Sequence, residues 1–265
     1  LLWCDKVNLT LSNKVYLSKE GTVAEYGMLA KDDIEEGHVL FSIPRQALLF
    51  VGSESLSLPG KECLESSSGW VPLLLALMYE YTCPDSHWRP YLSLWTDFKK
   101  LDHPMFWSKE ERERLLKGTG IPEAVDTDLT NIQTEYNDTV LPFMRSHPEL
   151  WDPERHTVEL YQCLVAFVMF QENEGWEEDD GDDDESKMAE ALSFEGLPAL
   201  APQWKRLLHA AAGFTMNQFS QDMESDRRLL EEPGSLAKLG PRESKALHVR
   251  LGQKSILHDL QQLIQ

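Results

Sequence analysis

One stretch of this sequence is too acidic to belong to a packed core. From Glu172 to Glu185 the chain carries ten acidic residues and no basic one. Like charges at this density repel one another and favour a solvated, unfolded segment. The run therefore predicts a disordered linker over residues 172–195. It divides the chain into an N-terminal part, residues 1–171, and a C-terminal part, residues 196–265.

The overall charge restricts the class of partner. The 265 residues include 45 acidic and 25 basic side chains, which gives a formal net charge of −20. This charge argues against nonspecific binding to nucleic acid or to an anionic membrane. The acidic run itself could bind a basic partner, mimic nucleic acid or serve as a solvated tether, and the tether is the simplest interpretation.

The apolar runs and the cysteines indicate the environment of the chain. The longest apolar run, from Val71 to Met78, has eight residues, which is too short to span a bilayer. The four cysteines are scattered, and no pair has the C-x-x-C spacing of a zinc site. We therefore expect a soluble intracellular protein with reduced thiols and no metal.

The apolar pattern predicts an α+β fold in which helices predominate. Residues 23–44 show the period of two that is typical of strands. Further along, prolines open stretches with helical apolar spacing at Pro72, Pro122, Pro153, Pro202 and Pro241. We predict a small N-terminal β segment, a mainly α-helical remainder and a C-terminal helical domain. In the helix opened by Pro202, the residues in register are Trp204, Leu207, Leu208, Ala211 and Phe214.

The strand segment contains a candidate cofactor cradle. Gly27 lies inside a strand pattern, which suggests either a bend or a place where another group approaches the backbone closely. An isolated glycine bend is common, so this pattern alone is a weak signal. Trp70, at the start of an apolar helix, is open to two interpretations. Its ring could belong to the core, or it could form an aromatic wall for a ligand cation or aliphatic stem.

Several segments together resemble the SET-domain family, in the class of the Rubisco large-subunit methyltransferase. The segments that carry the resemblance are residues 21–30, 39–45, 68–77, 88–91, 103–107, 118–125 and 251–258. The resemblance implies a SET-type fold and transfer of a methyl group from S-adenosyl-L-methionine to a lysine side chain of a protein substrate. In this family the cofactor and the lysine enter from opposite faces and meet in a narrow channel.

The resemblance also implies candidate site residues. By position, Ala24, Glu25 and Tyr26 are cofactor-binding, and Trp70 and Gln171 are substrate-binding. Chromatin or transcription proteins are the implied substrates, without direct contact to nucleic acid. The implied location is the nucleus, with the cytoplasm as a second location.

The sequence departs from the family pattern in three places. Glu25 stands where the family has the first glycine of Gly-Tyr-Gly, and Met169 is followed directly by Phe170 and Gln171, without a few residues that the family has there. The family's Asn-His motif and its catalytic tyrosine segment are absent from this sequence. We therefore assign no catalytic residue. We expect an incomplete active site and exposure of apolar surface that the N-terminal strands would have covered. The alternative function is a non-enzymatic interaction module, in which the C-terminal helices dock a partner and the acidic linker tethers them.

Overall fold

The structure is a computed structural model that describes residues 2–21, 26–49, 70–94, 97–172, 196–232 and 234–264. Beyond Glu172, the predicted acidic linker lies outside the described residues. Within them the chain is mostly helical and has four short strands near the N-terminus. This composition confirms the predicted α+β class.

The chain divides into two compact units. The first consists of residues 1–98 and 135–165, and the second consists of residues 99–134 and 166–265. Each unit is thus assembled from two separated stretches of sequence. The boundaries proposed from composition, after residues 171 and 195, stay a prediction.

The N-terminal strands form two separate antiparallel pairs. Strand β1 (Thr10–Leu11) pairs with β4 (Phe41–Ser42), and β2 (Val15–Ser18) pairs with β3 (Gly27–Ala30). A two-stranded sheet is marginally stable unless one face packs on other elements. Large apolar side chains on and beside these strands are nevertheless exposed, namely Tyr16, Leu17, Met28, Val39, Phe41 and Ile43. These strands therefore present apolar surface to solvent, whereas exposure of the surface that they would cover stays a prediction.

The core of the first unit is built around a predicted helix. Helix α1 (Leu2–Lys6) precedes the strands, and α2 (Val71–Thr82) and α3 (Arg89–Leu92) follow them. Pro72 lies in the first turn of α2, as predicted. Because α2 is apolar on almost every face, most of its side chains are buried.

The apolar stripe predicted from Pro122 onward forms a long helical stretch. Helix α5 (Ile121–Glu135) continues through a π-helical turn at Tyr136–Val140 into α6 (Leu141–Ser146). Helix α7 (Val158–Glu172) follows, but it does not begin at Pro153 as predicted. The backbone N–H groups of Arg155 and His156 both bond to the carbonyl of Asp152, which closes a turn there and delays the helix.

The second unit is helical in its described part. It includes α4 (Lys109–Leu115), α8 (Pro202–Met216), α9 (Met223–Glu231) and α10 (Pro241–Leu263). Short 3-10 turns occur in both units, at Arg45–Ala47, Phe98–Leu101, Pro104–Phe106, Leu197–Ala199 and Leu236–Lys238. Helix α4 begins after Ser108, whose hydroxyl caps it by accepting a hydrogen bond from the Glu111 backbone N–H at 3.2 Å. No helix of the described chain is long and apolar enough to cross a membrane.

A glycine permits a close backbone approach inside the second unit. Gly118 has a φ of 85°, which L side chains rarely adopt. A Cβ atom there would also lie 2.7 Å from the backbone of Gln218 and Phe219. Both the backbone angle and the crowded neighbourhood therefore require glycine at this position.

A buried ion cluster connects α9 with α10. Asp226 and Lys254 are fully buried, and the Lys254 ammonium donates to Asp226 Oδ2 at 2.6 Å. Arg250 adds a second bond to the same carboxylate at 3.1 Å and donates to the Leu115 carbonyl at 2.7 Å. The Lys254 ammonium also lies 4.9 Å from the centroid of the Phe219 ring. Each buried charge thus has a partner, as such groups require.

Helix α8 forms as predicted, but its apolar stripe is open to solvent. Trp204, Leu207 and Phe214 are 53%, 58% and 70% exposed. The helix packs on α10 through another face, where Gln261 donates to the His209 carbonyl at 3.4 Å. The helical spacing identified the stripe correctly, and the structure adds that three of its side chains are exposed.

Candidate functional site

The predicted cofactor residue Tyr26 lies at the loop end of the β2–β3 pair. Its ring is 49% exposed, and the Lys19 ammonium lies 4.4 Å from the ring centroid. This distance is within the range of a cation–π interaction. Tyr26 therefore presents an accessible aromatic face that already attracts a cation. The other two predicted cofactor residues, Ala24 and Glu25, lie outside the described residues.

Of the two alternatives predicted for Gly27, a bend at that residue is wrong, whereas a close approach of another group to its backbone stays a prediction. Gly27 is the first residue of β3, and it lies opposite Ser18 in regular antiparallel register. A positive φ occurs instead at Gly21, where the chain leaves β2. A spacing of two residues cannot distinguish a glycine within a strand from a glycine that turns the chain, because both interrupt the side-chain pattern in the same way.

The predicted substrate residue Trp70 lies at the N-terminus of α2. Its carbonyl accepts a hydrogen bond from the Leu74 N–H at 2.9 Å, and its side chain makes no capping bond. The indole is 39% exposed, although the next residues, Val71 and Pro72, are buried. Trp70 is thus a half-open aromatic surface rather than a fully buried core residue, and its role in substrate binding stays a prediction.

The remaining predicted residue, Gln171, lies near the end of α7, and its side chain is outside the described part of the structure. Tyr26 and Trp70 belong to the first unit, whereas Gln171 belongs to the second. The structure thus brings two of the five predicted residues into the same unit.

A polar cluster in the first unit has no counterpart among the sequence predictions. Nε2 of His156 lies 2.9 Å from the Thr82 hydroxyl, and Nδ1 lies 2.9 Å from the Asp152 carbonyl. The backbone carbonyl of His156 accepts a bond from the Tyr136 hydroxyl at 2.5 Å. Burial lowers the pKa of His156 below its ordinary value, which favours the neutral imidazole. Asp152 is four residues from His156, but Tyr136 and Thr82 are 20 and 74 residues away in sequence, so no local motif indicates the whole cluster.

A buried tyrosine in the same unit does not replace the missing catalytic segment. The Tyr161 side chain is fully buried, and its hydroxyl donates to the Glu135 carboxylate at 2.6 Å. Burial, together with this hydrogen bond and the negative charge of Glu135, raises the pKa of Tyr161 far above its ordinary value. The hydroxyl stays protonated and inaccessible to a substrate. The described residues also contain no group of His, Cys, Asp and Glu side chains that could hold a metal ion.

Comparison with known families identifies much of the helical part. The family described as Rubisco LSMT substrate-binding matches residues 108–257. This match begins at the N-cap of α4 and includes most of α10. It therefore covers the ion cluster, the Gly118 contact and the exposed stripe of α8.

Comparison with whole proteins extends the likeness over nearly the full chain. The N-lysine methyltransferase setd6 of Salmo salar is 42% identical over 429 residues, which span 99% of this chain and 95% of the relative. The setd6 protein of Danio rerio is 41% identical over 433 residues, spanning 99% and 94%. Both alignments are much longer than the 265 residues of this chain. The relatives therefore carry a long segment that has no counterpart here.

A solved structure supports the fold. The structure of Rubisco LSMT bound to AdoMet matches with a TM-score of 0.66 at 14% identity, covering 99% of this chain and 90% of that one. At this identity the match shows the fold alone, and it agrees with the α+β arrangement of short strands and many helices. The full-length identity to the fish proteins and the substrate-binding match together show that this chain belongs to the SETD6 family of N-lysine methyltransferases.

Proposed function

We propose that this chain, when it contains the segment that its relatives carry, transfers a methyl group from S-adenosyl-L-methionine to a lysine side chain of a protein substrate. The observation that carries the proposal is the identity of about two residues in five to the setd6 N-lysine methyltransferases over 99% of the chain. S-adenosylmethionine supplies a methyl group on a positively charged sulfur. The neutral lysine amine forms the new N–C bond while the C–S bond breaks and S-adenosylhomocysteine leaves.

The described residues fit such a cofactor at one position. The Tyr26 ring is accessible and already holds the Lys19 ammonium 4.4 Å from its centroid. A sulfonium is also a cation, so the same ring face would attract it once the Lys19 ammonium has moved away. Trp70 offers a half-exposed indole that would line the aliphatic stem of the substrate lysine. Holding the two reactants in line would supply much of the rate.

The proposal includes that the 265-residue chain does not complete the transfer by itself. The relatives align over 429 and 433 residues, so a long part of their structure is missing here. The exposed apolar side chains of the N-terminal strands support this view, because a complete domain would bury such a surface.

A pair of measurements tests the proposal. Isothermal titration of the chain with S-adenosylmethionine measures cofactor binding, with Tyr26→Ala as the comparison. Transfer of radiolabelled methyl to core histones is then measured for the chain, for a chimera that carries the extra segment of the Salmo salar protein, and for that protein itself. We expect methyl transfer by the chimera and by the fish enzyme, which is the positive control. We expect none by the 265-residue chain. A chimera that folds and binds the cofactor but transfers no methyl group would refute the proposal.

The choice of histones follows from the proposed substrates, which are chromatin or transcription proteins. A nuclear location, with the cytoplasm second, belongs to the same proposal and is supported by the family resemblance. Imaging of a fluorescently tagged chain in cells tests it, and exclusion of the tagged chain from the nucleus would contradict it.

A second candidate function is a protein-interaction module that needs no cofactor. The observation that favours it is the exposed apolar stripe of α8, which lies within the residues that match the substrate-binding family. In this function the C-terminal helices bind a protein partner, and the acidic linker tethers them.

A further inference from the structure

The pairing of β2 with β3 places Lys19 opposite Tyr26. Ser18 and Gly27 are cross-strand partners at the loop end of the pair, and Lys19 and Tyr26 are the next residues on the two sides. Side chains at directly opposite positions of an antiparallel pair lie close enough to interact. The Lys19 ammonium accordingly lies 4.4 Å from the centroid of the Tyr26 ring, and both side chains are exposed. The contact between this cation and this ring therefore follows from the strand register.

The backbone on either side of Lys19 is held in a turn, whereas the Lys19 side chain can move. The Ser18 hydroxyl accepts a hydrogen bond from the Glu20 backbone N–H and donates one to the Glu20 carbonyl, both at 3.0 Å. Lys19 lies between these two residues and carries its ammonium on a flexible four-carbon stem. The ammonium can therefore leave the ring by rotation of its own side chain, without a change in the β2–β3 pair. An exposed contact of this kind shifts an equilibrium about two- to fivefold.

A second lysine and tyrosine on the same pair of strands make a similar contact. The Lys31 ammonium lies 5.9 Å from the centroid of the Tyr16 ring, which is 39% exposed. Tyr16 lies opposite Leu29, so Lys31 is at the diagonal position rather than the direct one, and the contact is longer. The proposed function assigns no ligand to Tyr16. Lys31 is therefore a matched control for Lys19.

Methyl transfer changes the charge on the cofactor sulfur. The C–S electron pair stays on the sulfur when the methyl group moves to the lysine nitrogen, so the sulfonium becomes a neutral thioether. The nitrogen gains the methyl group and the positive charge, and then releases a proton to water. An aromatic ring face attracts the sulfonium of S-adenosylmethionine but not the thioether of S-adenosylhomocysteine. The Lys19 ammonium therefore competes for the Tyr26 ring with the first ligand only.

We propose that Lys19 determines how the cofactor site distinguishes S-adenosylmethionine from S-adenosylhomocysteine. The Lys19 ammonium covers the Tyr26 ring when no sulfonium is bound, and it yields the ring to the sulfonium. The inference rests on the proposed function, which assigns the sulfonium to the Tyr26 ring. As a consequence, Lys19 weakens the binding of S-adenosylmethionine and leaves the binding of S-adenosylhomocysteine unchanged. Its return to the ring after transfer replaces the attraction that the neutral sulfur has lost.

Isothermal titration of the 265-residue chain with each of the two ligands tests this inference. The parent is compared with Lys19→Met and Lys31→Met, because methionine keeps an unbranched apolar side chain and removes the charge. Lys19→Met should bind S-adenosylmethionine about two- to fivefold more tightly than the parent and S-adenosylhomocysteine equally well. Lys31→Met should bind both ligands as the parent does. This control separates competition at the Tyr26 ring from the general effect of removing one positive charge from these strands.

A double-mutant cycle shows whether the effect of Lys19 requires the Tyr26 ring. The titrations are repeated with Tyr26→Ala and with Tyr26→Ala combined with Lys19→Met. Without the ring there is no face for the two cations to share, so Lys19→Met should no longer tighten the binding of S-adenosylmethionine. Thermal unfolding of each variant checks that the substitutions leave the fold intact.

Several results would overturn the inference. They are an unchanged affinity of Lys19→Met for S-adenosylmethionine, equal tightening for both ligands, the same tightening in Lys31→Met, its persistence in the Tyr26→Ala background, and no binding of either ligand to the parent chain. The proposed function is decided separately, by methyl transfer in the chimera. An active chimera in which Lys19→Met changes no affinity overturns this inference alone. An inactive chimera that shows the expected change in affinity refutes methyl transfer alone.

Discussion

Replacing Lys254 with methionine removes one partner of the buried ion cluster and should destabilise the second unit strongly. The Lys254 ammonium lies 2.6 Å from Asp226 Oδ2, and both side chains are fully buried. Methionine keeps the apolar stem but leaves the buried carboxylate short of a partner. Breaking a buried ion pair in this way costs about 3–5 kcal/mol.

The magnitude should fall near the lower end of that range. Arg250 remains 3.1 Å from the same carboxylate and continues to offset its charge. We therefore expect a loss of about 3 kcal/mol in the free energy of unfolding. For a chain of this size, that loss lowers the melting temperature by about 6–12 °C.

A second lysine provides the matched control. Lys245 also pairs with a carboxylate, Asp102, at 2.8 Å, but the Lys245 side chain is 58% exposed. Exposed pairs contribute less than about 1 kcal/mol, so Lys245→Met should have little effect. Thermal unfolding followed by circular dichroism measures both variants. If Lys254→Met unfolded within about 1 kcal/mol of the parent, as Lys245→Met should, the reasoning from buried charge would be refuted.

Three further predictions follow from single residues. In urea unfolding, Gly118→Ala should lower the free energy of unfolding more than Gly120→Ala does. Both glycines have a positive φ, which costs an alanine about 1–2 kcal/mol, but only Gly118 has backbone atoms 2.7 Å from the added Cβ. Equal losses in the two variants would contradict the close contact. Burial lowers the pKa of His156 in the folded chain, so the unfolded chain binds a proton at this residue more readily. The contribution of the neutral His156 to stability is therefore complete above about pH 6.5 and declines as the pH falls below it. The melting temperature should therefore fall between pH 7.5 and pH 5.5, and an equal fall in His156→Gln would exclude this residue as a cause. In the chimera with the fish segment, Trp70→Ala should reduce methyl transfer more than thermal stability, whereas the reverse would make Trp70 a structural residue.

Local patterns predicted the helices well because the relevant signals are close in sequence. The proline in the first turn of α2 and the apolar stripe after Pro122 each depend on residues within a few turns. The predicted start of α7 at Pro153 was too early, because the next three N–H groups bond to Asp152: that of Glu154 to its carboxylate, and those of Arg155 and His156 to its carbonyl. Helix starts are thus predictable only where no competing turn forms.

The candidate site could be predicted only in part. The resemblance pointed to Tyr26 and Trp70, and the structure shows both as accessible aromatic surfaces. Neither the cation beside Tyr26 nor the exposure of the apolar stripe of α8 is encoded in a local pattern. Whether an apolar stripe is covered depends on distant segments, and here the relatives contain a long segment that this chain lacks.

The interleaved order of the two units has a consequence for synthesis on the ribosome. The first unit needs residues 135–165, which emerge only after 99–134, a stretch that belongs to the second unit. The second unit, in turn, cannot be completed by residues 99–134 until residues 166–265 have been synthesised. Neither unit can finish folding as a continuous nascent fragment, and bringing its two stretches together carries a loop-closure cost in entropy. The chain should therefore depend on chaperones more than a protein whose domains emerge one after the other, and an early stop codon would leave both units incomplete.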